Sequence, residues 1–170
     1  MAIRNSVSAT FVDPVEGVVV TATSGSGFPL RFDTASAEEG GTGASPTETI
    51  LGALAACTAM DVASILRKKR QAFRSYRIEV TGDRAEEHPR VFTSITVEHQ
   101  LAGAITPEAV RRSIELSATS YCPVSAMLSA SVRIEHRYRI QRDGDSQEEA
   151  AVVVVTGPDA DRAAGRAATG

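Results

Sequence analysis

The sequence predicts an α+β fold, and three observations carry that prediction. Apolar-alternating runs stand on both sides of the chain's middle, one long stretch without proline has helical periodicity, and two Xaa-Pro pairs mark the starts of further helices. The predicted order is N-terminal antiparallel strands, a long central helix, a hairpin, two helices and a final strand.

From Val7 to Asp33 the chain is rich in Val, Thr and Phe and is punctuated by Asp13-Pro14 and Ser24-Gly25-Ser26-Gly27, which predicts three short strands. The glycine-containing stretch from Ala35 to Ala44 has no periodicity and reads as a loop. Ser45-Pro46-Thr47-Glu48 then places a capping Ser before a proline at the first helical position, with Glu three residues after the cap. Ile50, Leu54, Cys57 and Asp61 recur at helical spacing, small residues flank them, and Arg67, Lys68, Lys69 and Arg70 suit the negative end of the helix dipole.

Phe73 to Gly82 and Val91 to Leu101 alternate apolar and polar residues and read as a hairpin. Thr106-Pro107 and Cys122-Pro123 each place a capping side chain before a proline, so two helices follow, the first reaching about Ser120. Val132, Ile134, His136, Tyr138 and Ile140 alternate with charged residues in a last strand. The domain is expected to span 1–140. Residues 141–170 have linker-like composition and are expected to form a mobile tail, with Val152 to Val155 as an exception able to add a strand.

The chain has 170 residues, 42% of them hydrophobic, enough for one domain with a sizeable core. A formal net charge of −3, with its one basic run accounted for by a helix end, argues against nucleic acid as a partner. No leader-like start and no membrane span of ~20 apolar residues is read, so a soluble, cytoplasmic protein is expected. In that setting its two cysteines, Cys57 and Cys122, are expected to be redox-active or buried free thiols rather than a structural staple.

The two thiols have opposite surroundings in the sequence. Cys122 precedes a helix N-terminus, which favours its thiolate; Cys57 lies among Ala53, Leu54 and Ala56, which disfavours its own unless a cation sits beside it. His88, His99 and His136 have no ligand spacing, so no metal is expected, and the glycine-rich loop lacks the lysine of a nucleotide-binding loop, so no cofactor is expected. Asp61, one turn after Cys57, either buries a hydrogen bond or lines the site.

Two segments, Ser45-Pro46-Thr47-Glu48 followed by Leu51 to Asp61, and Ser120-Tyr121-Cys122-Pro123-Val124-Ser125, resemble the OsmC/Ohr family of osmotically inducible and organic hydroperoxide resistance proteins. Ile65-Leu66-Arg67-Lys68 and His88-Pro89-Arg90-Val91-Phe92-Thr93 resemble its less characterised OsmC-like branch, and the similarity covers about residues 7 to 140. The resemblance implies an interwoven homodimer that reduces organic hydroperoxides. Cys57 would attack the peroxide, Cys122 would resolve the sulfenic acid as a disulfide, and an external dithiol, a lipoyl group or a small thiol, would restore both. The family also uses an Arg from the N-terminal strands held by a Glu at the start of the central helix. Glu48 matches that Glu, and Arg31 is the candidate Arg, although Arg31 read by itself is equally a solvated edge-strand residue. Glu48 precedes Cys57 by nine residues, roughly 13 Å along a helix axis and on the opposite face, so it would act on the partner's cysteine. The alternative is a non-catalytic protein of the same fold that binds a small apolar or electrophilic ligand at the dimer crevice.

Overall fold

The computed structural model describes residues 4–12, 18–144, 147–158 and 160. The chain divides into two compact units, residues 1–50 and 51–170.

In the first unit β1 (Val7–Phe11), β2 (Val20–Ser24) and β3 (Pro29–Phe32) form an antiparallel sheet in the order β1-β2-β3. Asp13 and Pro14, read as a turn signal, lie outside the described residues. After β3, the Asp33 carboxylate accepts the backbone N–H of Ala35 at 3.1 Å and that of Thr42 at 2.8 Å, which ties the glycine-containing loop back to the sheet. The loop ends in the predicted capping box: Glu48 N–H donates to Ser45 Oγ at 3.2 Å, and Ser45 N–H donates to Glu48 Oε2 at 2.8 Å.

That box opens α1 (Pro46–Lys68). Its Leu54, Thr58, Val62 and Leu66, at helical spacing, are fully buried within the second unit. By length and by a mean hydropathy of 1.8 in its most apolar stretch, α1 meets the composition of a membrane span, which the sequence reading did not find. Of that stretch 22% is buried, and Leu54, Val62 and Leu66 of α1 join the apolar clusters of the second unit.

The second unit holds a four-stranded sheet in the order β4-β5-β6-β7. β4 (Ala72–Arg84) and β5 (Phe92–Ala104) are the predicted hairpin, β4 running past both predicted ends and β5 starting one residue late and running three past its predicted end. From β5 the chain enters α2 (Pro107–Leu116), a single π-helical turn over Ser117–Tyr121, and α3 (Pro123–Ser129). Thr106 caps α2 and Cys122 caps α3, as the Xaa-Pro pairs predict. This crossover returns the chain as β6 (Arg133–Arg142), parallel to β5.

Beyond Gln141 the structure departs from the predicted tail. Glu148–Thr156 forms β7, antiparallel to β6 from Gln141↔Glu148 to Ile134↔Thr156. The departure has a plain cause: without β7 the second edge of β6 would present unpaired backbone groups. Tyr138 Oη also donates to Glu149 Oε1 at 2.8 Å, and Arg139 pairs with Glu148 at 3.1 Å. The Val152 to Val155 exception therefore prevails over linker composition, while 161–170 lie outside the described residues.

Two apolar clusters fill the second unit. One gathers Leu54, Ile95, Val97, Val132 and Ile134 around Cys122; the other gathers Val62, Leu66, Leu101, Val110, Ile114, Tyr138 and Ile140. On each contributing element the residues between the two sets are polar: Thr58 and Asp61 on α1, His99 on β5, His136 on β6, and Ser117 after α2. A polar layer thus separates two dry ones.

Candidate functional site

Cys57 reaches the site from the middle of α1 and Cys122 from the junction of the π-turn and α3. Their sulfurs and a carboxylate oxygen of Asp61 all lie within 4.8 Å of one another. Both cysteines are free, Cys122 buried and Cys57 half-buried. An S–S bond is about 2.05 Å long, so oxidation would draw the sulfurs together by less than about 3 Å.

Consecutive backbone groups in the first turn of α3 serve the two sulfurs. Ser125 N–H donates to Cys122 Sγ at 3.3 Å, and Val124 N–H donates to Cys57 Sγ. The sequence reading assigned the helix terminus to Cys122 alone; the fold shares it. Burial still dominates at Cys57, pushing its thiol up to about 11. The Cys122 side chain hydrogen-bonded to it adds to the rise, the Val124 N–H opposes it, and the nearby Cys122 and Asp61 charges add further. Without a cation Cys57 is a thiol at neutral pH, as its sequence surroundings predict.

The neighbours are oriented by hydroxyls. Thr58 Oγ1 donates to Cys122 Sγ at 3.7 Å, and Ser117 Oγ donates to Asp61 Oδ2 at 3.0 Å. The π-turn sets Ser117 in place: Cys122 N–H bonds back to Ser117 O at 2.9 Å, five residues earlier, so one extra residue is accommodated before the helix ends. On its other side Asp61 lines a pocket of about 400 Å³ with Ser64, Ile65, Lys68, Leu116 and Tyr121.

Deeper in the polar layer, Tyr76 Oη and His99 Nδ1 are 2.7 Å apart, and the His99 and His136 rings stack at 5.9 Å. Burial raises the Tyr76 phenol, with the Asp61 charge adding to the effect; burial lowers His99 strongly, and lowers His136 to about 4. His99 Nε2 and both ring nitrogens of His136 are buried without a hydrogen-bond partner among the described residues. The sequence reading treated these histidines as scattered. The alternation places His136 in step with Ile134, Tyr138 and Ile140; the signal passed over is that His99 likewise keeps step with Ile95, Val97 and Leu101, so both rings face the core.

Arg31 and Glu48 belong to the first unit. Arg31 is exposed on β3, where its Nε donates to Thr42 Oγ1 at 2.8 Å. Both bonds from Ser45 to Glu48 fall on Oε2, and they hold its carboxyl below the usual range.

Residues 39–137 match the family model described as OsmC-like protein. The chain belongs to that family. A curated relative, Protein YhfA of Escherichia coli strain K12, is 39% identical over 127 residues, covering 74% of this chain and 92% of the relative. Among solved structures, an OsmC-like protein from Mycoplasma pneumoniae superposes with a TM-score of 0.70 at 17% identity, over 82% of this chain and 99% of that one. An organic hydroperoxide resistance protein OsmC from Legionella pneumophila gives a TM-score of 0.58 at 12% identity, over 83% and 98%. At such identities these two structures speak to the fold, and the α+β architecture of this OsmC-like chain is theirs.

Proposed function

We propose that the protein is a thiol-dependent organic hydroperoxide reductase. The observation that carries the reading is the approach of two free thiols 65 residues apart in sequence. The Cys57 thiolate attacks the distal oxygen of ROOH; the O–O bond breaks, ROH leaves after taking up a proton, and Cys57 holds a sulfenic acid. Cys122 displaces water from that sulfur to give the disulfide. An external dithiol then supplies two electrons and two protons to restore both thiols.

The raised Cys57 thiol requires a cation for this chemistry at neutral pH. We assign that role to Arg31, steadied by Glu48 and supplied by the partner in a homodimer; Glu48 Oε1 is the oxygen not engaged by Ser45. The same raised thiol favours the second reading, a protein that binds a small apolar or electrophilic ligand without turnover. Hydroperoxide consumption coupled to a dithiol separates the two. Cys57→Ser abolishes turnover, while Cys122→Ser permits a single oxidation of Cys57 and then stops. No consumption by the wild-type protein means that the binding reading holds, and the reverse pattern in the variants makes Cys122 the attacking thiol.

A further inference from the structure

The sequence reading set a metal aside because the histidines lack ligand spacing. The structure offers a different donor set, in which an aspartate takes the place of histidine. We propose that Cys57, Asp61 and Cys122 form a three-ligand site for a thiophilic divalent cation, zinc foremost, in the reduced protein.

Cys57 and Asp61 are four apart on α1 and share a face, and Cys122 comes to them from the start of α3. Their donor atoms already lie within 4.8 Å of one another. Zn–S bonds of about 2.3 Å around a tetrahedral ion place sulfurs about 3.8 Å apart, so binding asks for a contraction of at most about 1 Å. Two sulfurs and one carboxylate suit a borderline-soft ion better than calcium or magnesium, which take oxygen ligands.

The surroundings match a metal centre as well as the ligands do. Ser117 Oγ donates to Asp61 Oδ2 and Thr58 Oγ1 to Cys122 Sγ, outer partners that fix ligand direction. Both metal-bound thiolates and the carboxylate carry negative charge, and among the described residues of this unit no Lys or Arg forms an ion pair with Asp61. Three protein ligands leave a fourth position open, and Asp61 borders the 400 Å³ pocket on one side.

Binding is independent of the proposed reductase activity, but its consequence rests on that reading. Oxidation by one hydroperoxide would remove two of the three ligands: the two thiolates, ROOH and two protons give the disulfide, ROH, water and the free cation. The ion would thus occupy the reduced state only, and would compete with peroxide for the same sulfurs.

The test is an anaerobic Co²⁺ titration of the reduced full-length protein. One cobalt per chain is expected, with a thiolate-to-cobalt charge-transfer band and the visible bands of a tetrahedral ion, both bleached by Zn²⁺. Asp61→Asn and, through its hydrogen bond, Ser117→Ala should each weaken binding by about tenfold or more. Cys122→Ser should remove about half of the charge-transfer intensity, one thiolate of two remaining. Absence of the band in the wild-type protein overturns the proposal, as does an Asp61→Asn variant, folded by circular dichroism, that binds as tightly as wild type. Cobalt bound by a protein that consumes no hydroperoxide leaves the site standing and removes only the reductase.

Discussion

The two units of this chain bury their side chains very differently. In the sheet of residues 7–32 every residue of β1 is exposed, Val7 and Phe11 among them, as are Phe28 and Leu30 at β3, and Ala22 is the one buried strand residue. In the second unit two dry clusters enclose a polar layer, with Ile95, Val97, Ile114, Ile134 and Ile140 almost wholly removed from water. The second unit carries its own core; a three-stranded sheet with so little buried surface needs a cover. The first unit also offers an apolar pocket of about 360 Å³ lined by Ala9, Phe11, Val18, Val20, Phe32 and Pro46. Under the proposed function the second unit holds the thiols and the first, in a dimer, completes a partner's site.

The sharpest way to break that contrast is Arg31→Ala. If the first unit supplies the cation, oxidation of Cys57 at pH 7 slows by about a hundredfold, the usual cost of one missing electrostatic partner. The remaining rate should then climb about tenfold per pH unit towards the raised thiol value of about 11, because only the thiolate reacts. Stopped-flow oxidation against pH measures both. An unchanged rate reduces Arg31 to its bond with Thr42.

The polar layer of the second unit makes a prediction of similar size, in stability. The folded protein holds His136 at about 4, below the unfolded value of about 6.5, so between these limits the unfolded chain binds more protons. Stability is therefore full above pH 6.5 and falls with decreasing pH, by as much as about 3 kcal/mol for this residue at pH 4, and further through His99. Urea denaturation of the wild type and of His136→Phe should converge on acidification. Parallel curves would show that the ring is not buried neutral.

Smallest is the effect expected from the exposed sheet. Burying a Phe is worth roughly 1.5–3 kcal/mol, so Phe11→Ser should weaken dimerisation by about tenfold or more in sedimentation equilibrium. A monomeric wild type would contradict the cover outright.

What the sequence made legible was local. The capping box at Ser45 and Glu48, the caps at Thr106 and Cys122, and the alternation along β4, β5 and β6 follow from short-range hydrogen bonding and pleat, and all are present. Pairing was less legible. β7 looked like linker because Glu148 and Glu149 are charged, yet those carboxylates bond Arg139 and Tyr138 of β6 across the strand pair. The same limit hid the site's supports. Asp61 was noticed one turn from Cys57, but its bond to Ser117 depends on a π-turn that no periodicity announces.

The reductase account stands on the two sulfurs joining. The direct measurement is to expose the reduced protein to one equivalent of tert-butyl hydroperoxide and map its peptides by mass. A Cys57–Cys122 disulfide within one chain, formed with loss of two hydrogens, is the predicted product. Two thiols still free after the exposure would contradict it.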